Sequence, residues 1–291
     1  MRDTPRDSQS KNSIVIPPEE EIPADMSNSK VPFNLSWQAI FTGALFLFMY
    51  LPILVLMFYS FNQSAYSAGW EGFTLDWYRQ LLSDDRIGKA LFNSLKVAIL
   101  AVGVSAVLGT LMAVGLSRYE FRGKKLYQGI SYLPLIIPDI AIAVATLVFL
   151  AAIGISLSIW TIVAAHIVFC LAYIALAVST RLADLDSNLE EAALDLGATP
   201  VEAFLKVLLP QLMPGIASGC LIAFVLSMDD FLISSFTAGA GATTLPMEIF
   251  SRIRTGVKPD INALSVILIG VSGILAFVAE NLRYRSEQQQ R

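Results

Sequence analysis

Six predominantly apolar stretches, at 38–60, 97–117, 127–152, 157–179, 212–236 and 262–282, restrict the solvent in which this chain can fold. A helix of about 20 residues spans the ~30 Å hydrocarbon layer of a bilayer, and each stretch reaches that length. Backbone polar groups in hydrocarbon must be satisfied inside the protein, so helices are the economical solution. The chain therefore reads as an all-α integral membrane protein with six transmembrane helices, and no intervening run is long enough for a seventh. Composition agrees, with 55% hydrophobic and only 15% charged residues, where a soluble chain carries about a quarter charged. Pro52, Pro134 and Pro138 fall inside these stretches. Kinks at such positions are tolerated where neighbouring helices satisfy the freed backbone groups.

Lys and Arg in the loops set the orientation. With the N-terminus inside, 13 of the 20 basic residues lie on the cytoplasmic side, and Arg118, Arg122, Lys124 and Lys125 in one short loop give the clearest bias. The loop at 239–260 opposes it with Arg252, Arg254 and Lys258. Both termini are expected in the cytoplasm. Residues 1–36 are rich in Ser, Pro, Asp, Glu and Lys and too poor in apolar side chains to fold alone. They lack the apolar core of a signal peptide and read as a disordered cytoplasmic tail, either solvated filler or a regulatory tether. The transmembrane domain is then 37–291.

Several chemistries are excluded. A net charge of −4 gives nucleic acid no basic surface. Cys170 and Cys220 lie within spans and read as packing residues rather than a disulfide or metal pair. Gly88-Lys89 and Gly123-Lys124 lack the rest of a phosphate-binding loop, so any ATP–Mg must be bound by another subunit. His166 is the sole histidine. Inside a span it reads as an interhelical hydrogen-bonding group rather than a catalyst.

One polar segment, 187–210, interrupts the apolar pattern. Ser187-Asn188-Leu189-Glu190 is a capping box that predicts a helix from about Asn188. Leu189, Ala192, Ala193 and Leu196 form one stripe, and Gly197 supplies a left-handed stop. Thr199-Pro200-Val201-Glu202 is a second capping box with proline at the first helical position. Val201, Phe204, Leu205 and Leu208 repeat the stripe, and Pro210 is expected to end the helix. Such a capped hairpin fits a groove on another protein, or equally rests on the lipid surface.

Its residues resemble a known element. Glu191-Ala192-Ala193, three residues, Gly197, nine residues, then Val207, Leu208 and Leu209-Pro210 is similar to the EAA loop of ABC importer permeases, with Val207 replacing the family isoleucine. The resemblance implies a coupling helix seated in a cleft of a cytoplasmic ATPase. It assigns that role to Glu191, Ala192, Ala193, Gly197 and Pro210, and implies the type I ABC importer permease fold.

Asp229 and Asp230 lie well inside the fifth stretch. A carboxylate near the bilayer centre costs about 2.5–3.5 kcal/mol on insertion scales, so the pair must meet a wet cavity, a cation or a helix end. Adjacent helix residues point about 100° apart, which leaves at most one aimed straight into a pathway. Capping of a broken helix explains them equally well. Asp139, after Pro138, either caps a helix restarting there or touches cargo. Gly239 to Pro246 can line the outer mouth or form a simple tight loop. Trp70, Phe73, Trp77 and Tyr78 accompany Glu71, Asp76, Asp84 and Asp85 in the first outer loop, as interface anchors or as a negative landing area. Gly215 and Gly219 permit close helix packing.

Gly72-Phe73-Thr74 with Trp77-Tyr78, Asn93-Ser94-Leu95, Phe121-Arg122-Gly123-Lys124, Pro138-Asp139, Ser227-Met228-Asp229-Asp230 and Gly256-Val257 with Asn262-Ala263-Leu264 are similar to the permeases of spermidine/putrescine ABC importers, above all their second permease subunit. The resemblance implies polyamine cargo in a bacterial inner membrane. It also implies a heterodimer with a second permease, two copies of an ATPase and a periplasmic polyamine-binding protein. Related permeases carry other small polar solutes. A proton-linked secondary transporter using the two aspartates and a membrane scaffold or channel subunit are the remaining alternatives, and the hairpin argues against both.

Overall fold

The computed structural model describes residues 37–64, 69–186, 188–256 and 258–289, with side chains to Ile274. The expected tail at 1–36 lies outside the described residues, as do Ser187 and Val257. Among the described residues the chain is helical throughout, except for one isolated antiparallel bridge between Asn62 and Phe73.

Helix α1 (Trp37–Tyr59) covers the first stretch. The chain divides into two units within this helix, between Leu51 and Pro52. In the larger unit, a short α2 (Asp76–Leu82) precedes α3 (Asp85–Arg118). This 34-residue helix is about 50 Å long at 1.5 Å per residue. Its N-terminus is capped by Asp84, whose side chain accepts from Arg86 N–H at 2.9 Å. Helix α6 (Ile159–Ala183) starts on a capping box formed by Ser158 and Thr161. Among the described residues, four helices are long and apolar enough to cross a membrane: α1, α3, α6 and the run Pro200–Asp229.

Of the six expected spans, the third and sixth are not found as single long apolar helices among the described residues. The third becomes α4 (Lys124–Tyr132), a tight turn at Leu133–Leu135, and α5 (Asp139–Ala152), with a bend of 107° between the halves. Pro134 and Pro138 mark the break: each lacks a backbone donor, and Pro138 is itself extended (φ −56°, ψ 136°). The pair serves as a fifth span only if the bent halves are counted together. The sixth stretch lies on α12 (Pro259–Gln289), of which Pro259–Ile274 is a shorter apolar helix. The side chains of its second half fall outside the described residues.

Pro210 does not end the hairpin's second helix. That helix, α8 (Pro200–Ala203), widens into a π-turn at Phe204–Leu208 and continues as α9 (Leu209–Asp229). A proline ring clashes with the carbonyl four residues earlier, and a widened turn placed just before it relieves that clash.

The core is the packing of α3, α6 and α9. Ala101, Ala113, Ala165, Cys170, Ile174, Ala175, Leu212 and Ala223 are buried there. Small residues bring the backbones together: a Cβ on Gly219 would lie 3.0 Å from both Ala177 Cβ and Ile174 Cα, and one on Gly215 would lie 2.7 Å from Arg181 Cβ. The Gly215–Gly219 pair thus makes the close contact its spacing permits, against α6. Cys170 and Cys220 are free thiols inside this packing. The outward faces remain apolar: Phe92 on α3, Val148 and Phe149 on α5, Trp160 on α6, and Leu221 and Val225 on α9 are all exposed, as surfaces meeting lipid or apolar partners must be.

Candidate functional site

Two helix breaks come together at one cleft. Pro138 is extended (φ −56°, ψ 136°), and α5 begins at Asp139. Asp139 lies in the first turn of α5, at the positive end of that helix, and no hydrogen bond to its carboxylate is found among the described residues. The second break interrupts the fifth stretch at Asp229 and Asp230. Helix α9 stops at Asp229, Asp230 is extended (φ −67°, ψ 120°), and α10 (Leu232–Thr237) follows, packed against α5. Asp230 Oδ1 accepts from Ile233 N–H at 3.1 Å, and Oδ2 accepts from Ser234 N–H at 2.7 Å. The helix-capping explanation of the pair thus holds for Asp230.

His166 completes this arrangement. It is fully buried on α6. Its Nδ1 lies 2.8 Å from Ser227 Oγ, and its Nε2 lies 3.2 Å from Asp230 Oδ2 and 3.1 Å from Ser234 Oγ. The expected interhelical bond is therefore present, joining α6 to α9 and α10. Its link to Asp230 had no signal in the sequence, because the partners are 61 to 68 residues away. Cys170, one turn further along α6, places its thiol 3.8 Å from the Ala223 carbonyl.

The cleft at these breaks has a volume of about 270 Å³. Asp139, Asp229 and Asp230 line it with Phe169, Tyr173 and Phe231, and no Lys or Arg is among its lining residues. The structure thus gathers all three aspartates singled out in the sequence. Carboxylates beside aromatic faces suit a cation: ion pairing and ring quadrupoles both attract positive charge, more strongly as water is excluded. The six-residue α10 and the extended Asp230 are tolerated at this depth because the irregular backbone lines a cavity.

The polar hairpin stands elsewhere, at the far end of α3. Helix α7 (Asn188–Asp195) starts where expected, with the Asp186 carboxylate accepting from Asn188 N–H at 2.9 Å. It stops at Gly197 (φ +90°). Gly197 N–H donates to the Leu194 carbonyl at 2.9 Å and Ala198 N–H to that of Ala193 at 3.1 Å, the paired bonds of a Schellman stop. The second capping box also forms: Thr199 Oγ1 accepts from Glu202 N–H at 3.3 Å, and Glu202 Oε2 accepts from Thr199 N–H at 3.1 Å. Lys206 adds an ion pair to Glu202 at 2.8 Å.

The apolar stripe divides. Ala203 and Leu208 are buried, whereas Leu196 is 90% exposed, Val201 65% and Leu205 51%. Glu191, Ala192, Gly197 and Pro210 are exposed and Ala193 is half-buried. One ion pair ties the hairpin to the core: Arg118 Nε, at the end of α3, lies 2.9 Å from Glu190 Oε2, in a geometry that leaves the N–H without a hydrogen bond.

At the opposite end of α3, Arg252 on α11 (Leu245–Thr255) grips three acids. Its guanidinium reaches Asp84 at 2.6 Å, Glu248 at 2.8 Å and Asp260 at 3.0 Å. Burial would push the Asp84 carboxyl up, but the Arg252 hydrogen bond and the bonds from Arg86 and Ile87 N–H outweigh it and hold Asp84 below the usual carboxylate range. In the sequence, Arg252 was only a basic residue weighing against the orientation. Trp77 Nε1 donates to the Asn62 carbonyl at 2.8 Å, and Phe61 stacks on Phe73 and Tyr78, so these aromatics hold their own loop together. The glycine-containing segment is stitched to α3, with Asn93 donating to the Gly241 and Thr243 carbonyls and Ser94 accepting from Leu245 N–H.

Membrane-spanning helices broken at a cavity, joined to a self-capped polar hairpin, define a transport subunit rather than a receptor or an enzyme. Residues 105–291 match the family of binding-protein-dependent transport system inner membrane components, and the chain belongs to that family. It is 43% identical over 261 residues to the putrescine transport system permease protein PotI of Escherichia coli K12, covering 87% of this chain and 92% of the relative. To the spermidine/putrescine transport system permease protein PotC of Haemophilus influenzae it is 38% identical over 240 residues, covering 82% and 93%. In fold it is similar to a bacterial ABC transporter involved in alginate import (TM-score 0.67, 16% identity, 84% of this chain and 94% of the other). The MetNI methionine ABC transporter in an inward-facing form also matches (TM-score 0.54, 21% identity, 72% and 97%).

Proposed function

We propose that this chain is one permease of an ATP-driven importer that carries polyamine cations, spermidine or putrescine, into the bacterial cytoplasm. The carrying observation is the cleft at the paired helix breaks, where Asp139, Asp229 and Asp230 meet aromatic rings with no lining base. A linear polycation leaving water needs carboxylates and ring faces spaced along its length. The similarity to two polyamine permeases over most of the chain supports the same cargo.

The working assembly in this proposal pairs the chain with a second, different permease, two copies of an ATPase that bind ATP–Mg, and a periplasmic polyamine-binding protein. Both termini and the hairpin lie in the cytoplasm. Glu191, Ala192, Ala193, Gly197 and Pro210 form the coupling element. The exposed Leu196, Val201 and Leu205 give the ATPase an apolar patch to cover. ATP binding moves the hairpin, the helices around the cleft open toward the loaded binding protein, and hydrolysis returns the cleft toward the cytoplasm.

The test is uptake of labelled putrescine and spermidine by vesicles containing the complete complex co-purified with this chain. Uptake that requires enclosed ATP, and persists with a protonophore, is the expected result. The His166–Asp230 pair is the feature a proton-coupled carrier would use. Uptake that ignores ATP and collapses with the protonophore overturns the proposal in favour of that mechanism. Transport of neither polyamine overturns the cargo.

A further inference from the structure

The two adjacent aspartates have unlike surroundings. Every Asp230 contact is structural: one oxygen holds Ile233 N–H, and the other holds Ser234 N–H and faces His166 Nε2. Its side chain is only 10% exposed, and that of His166 only 1%. Ser227 and Ser234 occupy the rest of the imidazole's hydrogen-bonding capacity. A carboxylate with both oxygens engaged has little left to offer cargo without releasing α10.

Asp229 is its opposite. It is exposed, it lines the cleft, and no hydrogen bond or ion pair to it is found among the described residues. Both carboxylates line the cleft, but Asp230 is extended and bound to the start of α10, whereas Asp229 ends α9 without a partner among the described residues. His166 sits one turn from Phe169, their rings 5.0 Å apart, and Phe169 itself lines the cleft. The same stretch of α6 therefore supports the break and part of the cleft wall.

We infer that the pair divides the work: Asp230, locked by His166, fixes the break between α9 and α10, and Asp229 alone presents its charge to the cation. His166 is then a positioning residue that acts through Asp230. This division rests on the polyamine reading for the role of Asp229, but the lock stands without it.

Both halves are tested on the complete complex in vesicles. Asp229→Asn raises the KM for putrescine at least about tenfold, the fold-change for losing one charge-assisted contact, and leaves the melting temperature unchanged. Asp230→Asn and His166→Leu lower the melting temperature by about 5–15 °C, because each leaves a buried polar partner unsatisfied. His166→Gln, which keeps a donor, restores much of that loss. The effects of His166→Leu and Asp230→Asn on maximal uptake rate are strongly non-additive, whereas those of His166→Leu and Asp229→Asn add. An unchanged KM in Asp229→Asn, or a raised KM at unchanged melting temperature in Asp230→Asn, overturns the division. Wild-type vesicles that carry no polyamine refute the cargo reading alone. The melting temperatures and the His166→Gln rescue then still decide the lock.

Discussion

The bend of the hairpin and the break at Asp230 both interrupt a helix, by opposite means. At the hairpin every capping bond is local: Gly197, Ala198, Thr199 and Glu202 satisfy groups three to five residues away. At Asp230 the local bonds to Ile233 and Ser234 N–H are joined by one from an imidazole on another helix, 64 residues distant in sequence. A break built locally keeps its shape while its outer side chains stay free, which suits an element that must present a surface. A break built from distant parts holds only when the bundle is assembled, so it ties the geometry of the cleft to the packing of α6, α9 and α10. The difference teaches where damage to transport should separate from damage to folding.

Gly197→Trp should give the largest such separation. A left-handed backbone (φ +90°) disfavours any L side chain by roughly 1–2 kcal/mol, and open space surrounds the Cβ position. Polyamine uptake should fall to background while the complex melts within a few degrees of wild type; full uptake at normal expression would remove the hairpin's docking role. Arg252→Ala probes a second long-range assembly, the clamp at the far end of α3. Three carboxylates lose their shared donor, and stability measured by thermal melting should drop by about 1–3 kcal/mol.

The same clamp gives a pH signature. Because folding holds the Asp84 carboxyl below its ordinary value, its contribution is present above the unfolded pKa near 4 and is lost as pH falls through the lower folded value. Melting temperature should therefore decline on acidification below about pH 4, less steeply in Asp84→Asn; identical slopes would disconnect Asp84 from the clamp. Thr199→Ala removes one local cap, worth about 1 kcal/mol. It should loosen hydrogen-exchange protection at 199–203 without changing protection at 230–237. Arg118→Gln should matter least for stability, under about 1 kcal/mol for a partly exposed ion pair. A loss of melting temperature rivalling that of Arg252→Ala would show that the hairpin depends on distant contacts after all.

The boundary between what was legible and what was not follows the range of the interactions. The stop of α7 at Gly197 and the start of α8 at the Thr199–Glu202 capping box follow from the sequence, because the donors and acceptors are neighbours in the chain. Pro134 and Pro138 marked where the third stretch would bend, but the 107° turn that seats Asp139 beside Asp229 depends on α10 packing against α5. Pro210 misled for a related reason: the π-turn that absorbs it leaves no residue signature. Arg252 carried no local signal, and His166 gave its interhelical role but not its partners, since each matters through groups on other helices.

By itself, then, the order of residues determined that the chain lies in a bilayer, which segment stands apart from it, and which acids are too costly to bury without purpose. Each of these is a sum over neighbours: apolar length, capping geometry, the desolvation of a charge. Only the tertiary structure decided that three aspartates share one cleft and that Asp230 is bound while Asp229 is free. Those outcomes turn on which side chains from separate helices meet in space, and hydrogen bonds between helices are specified by packing rather than by any spacing along the chain.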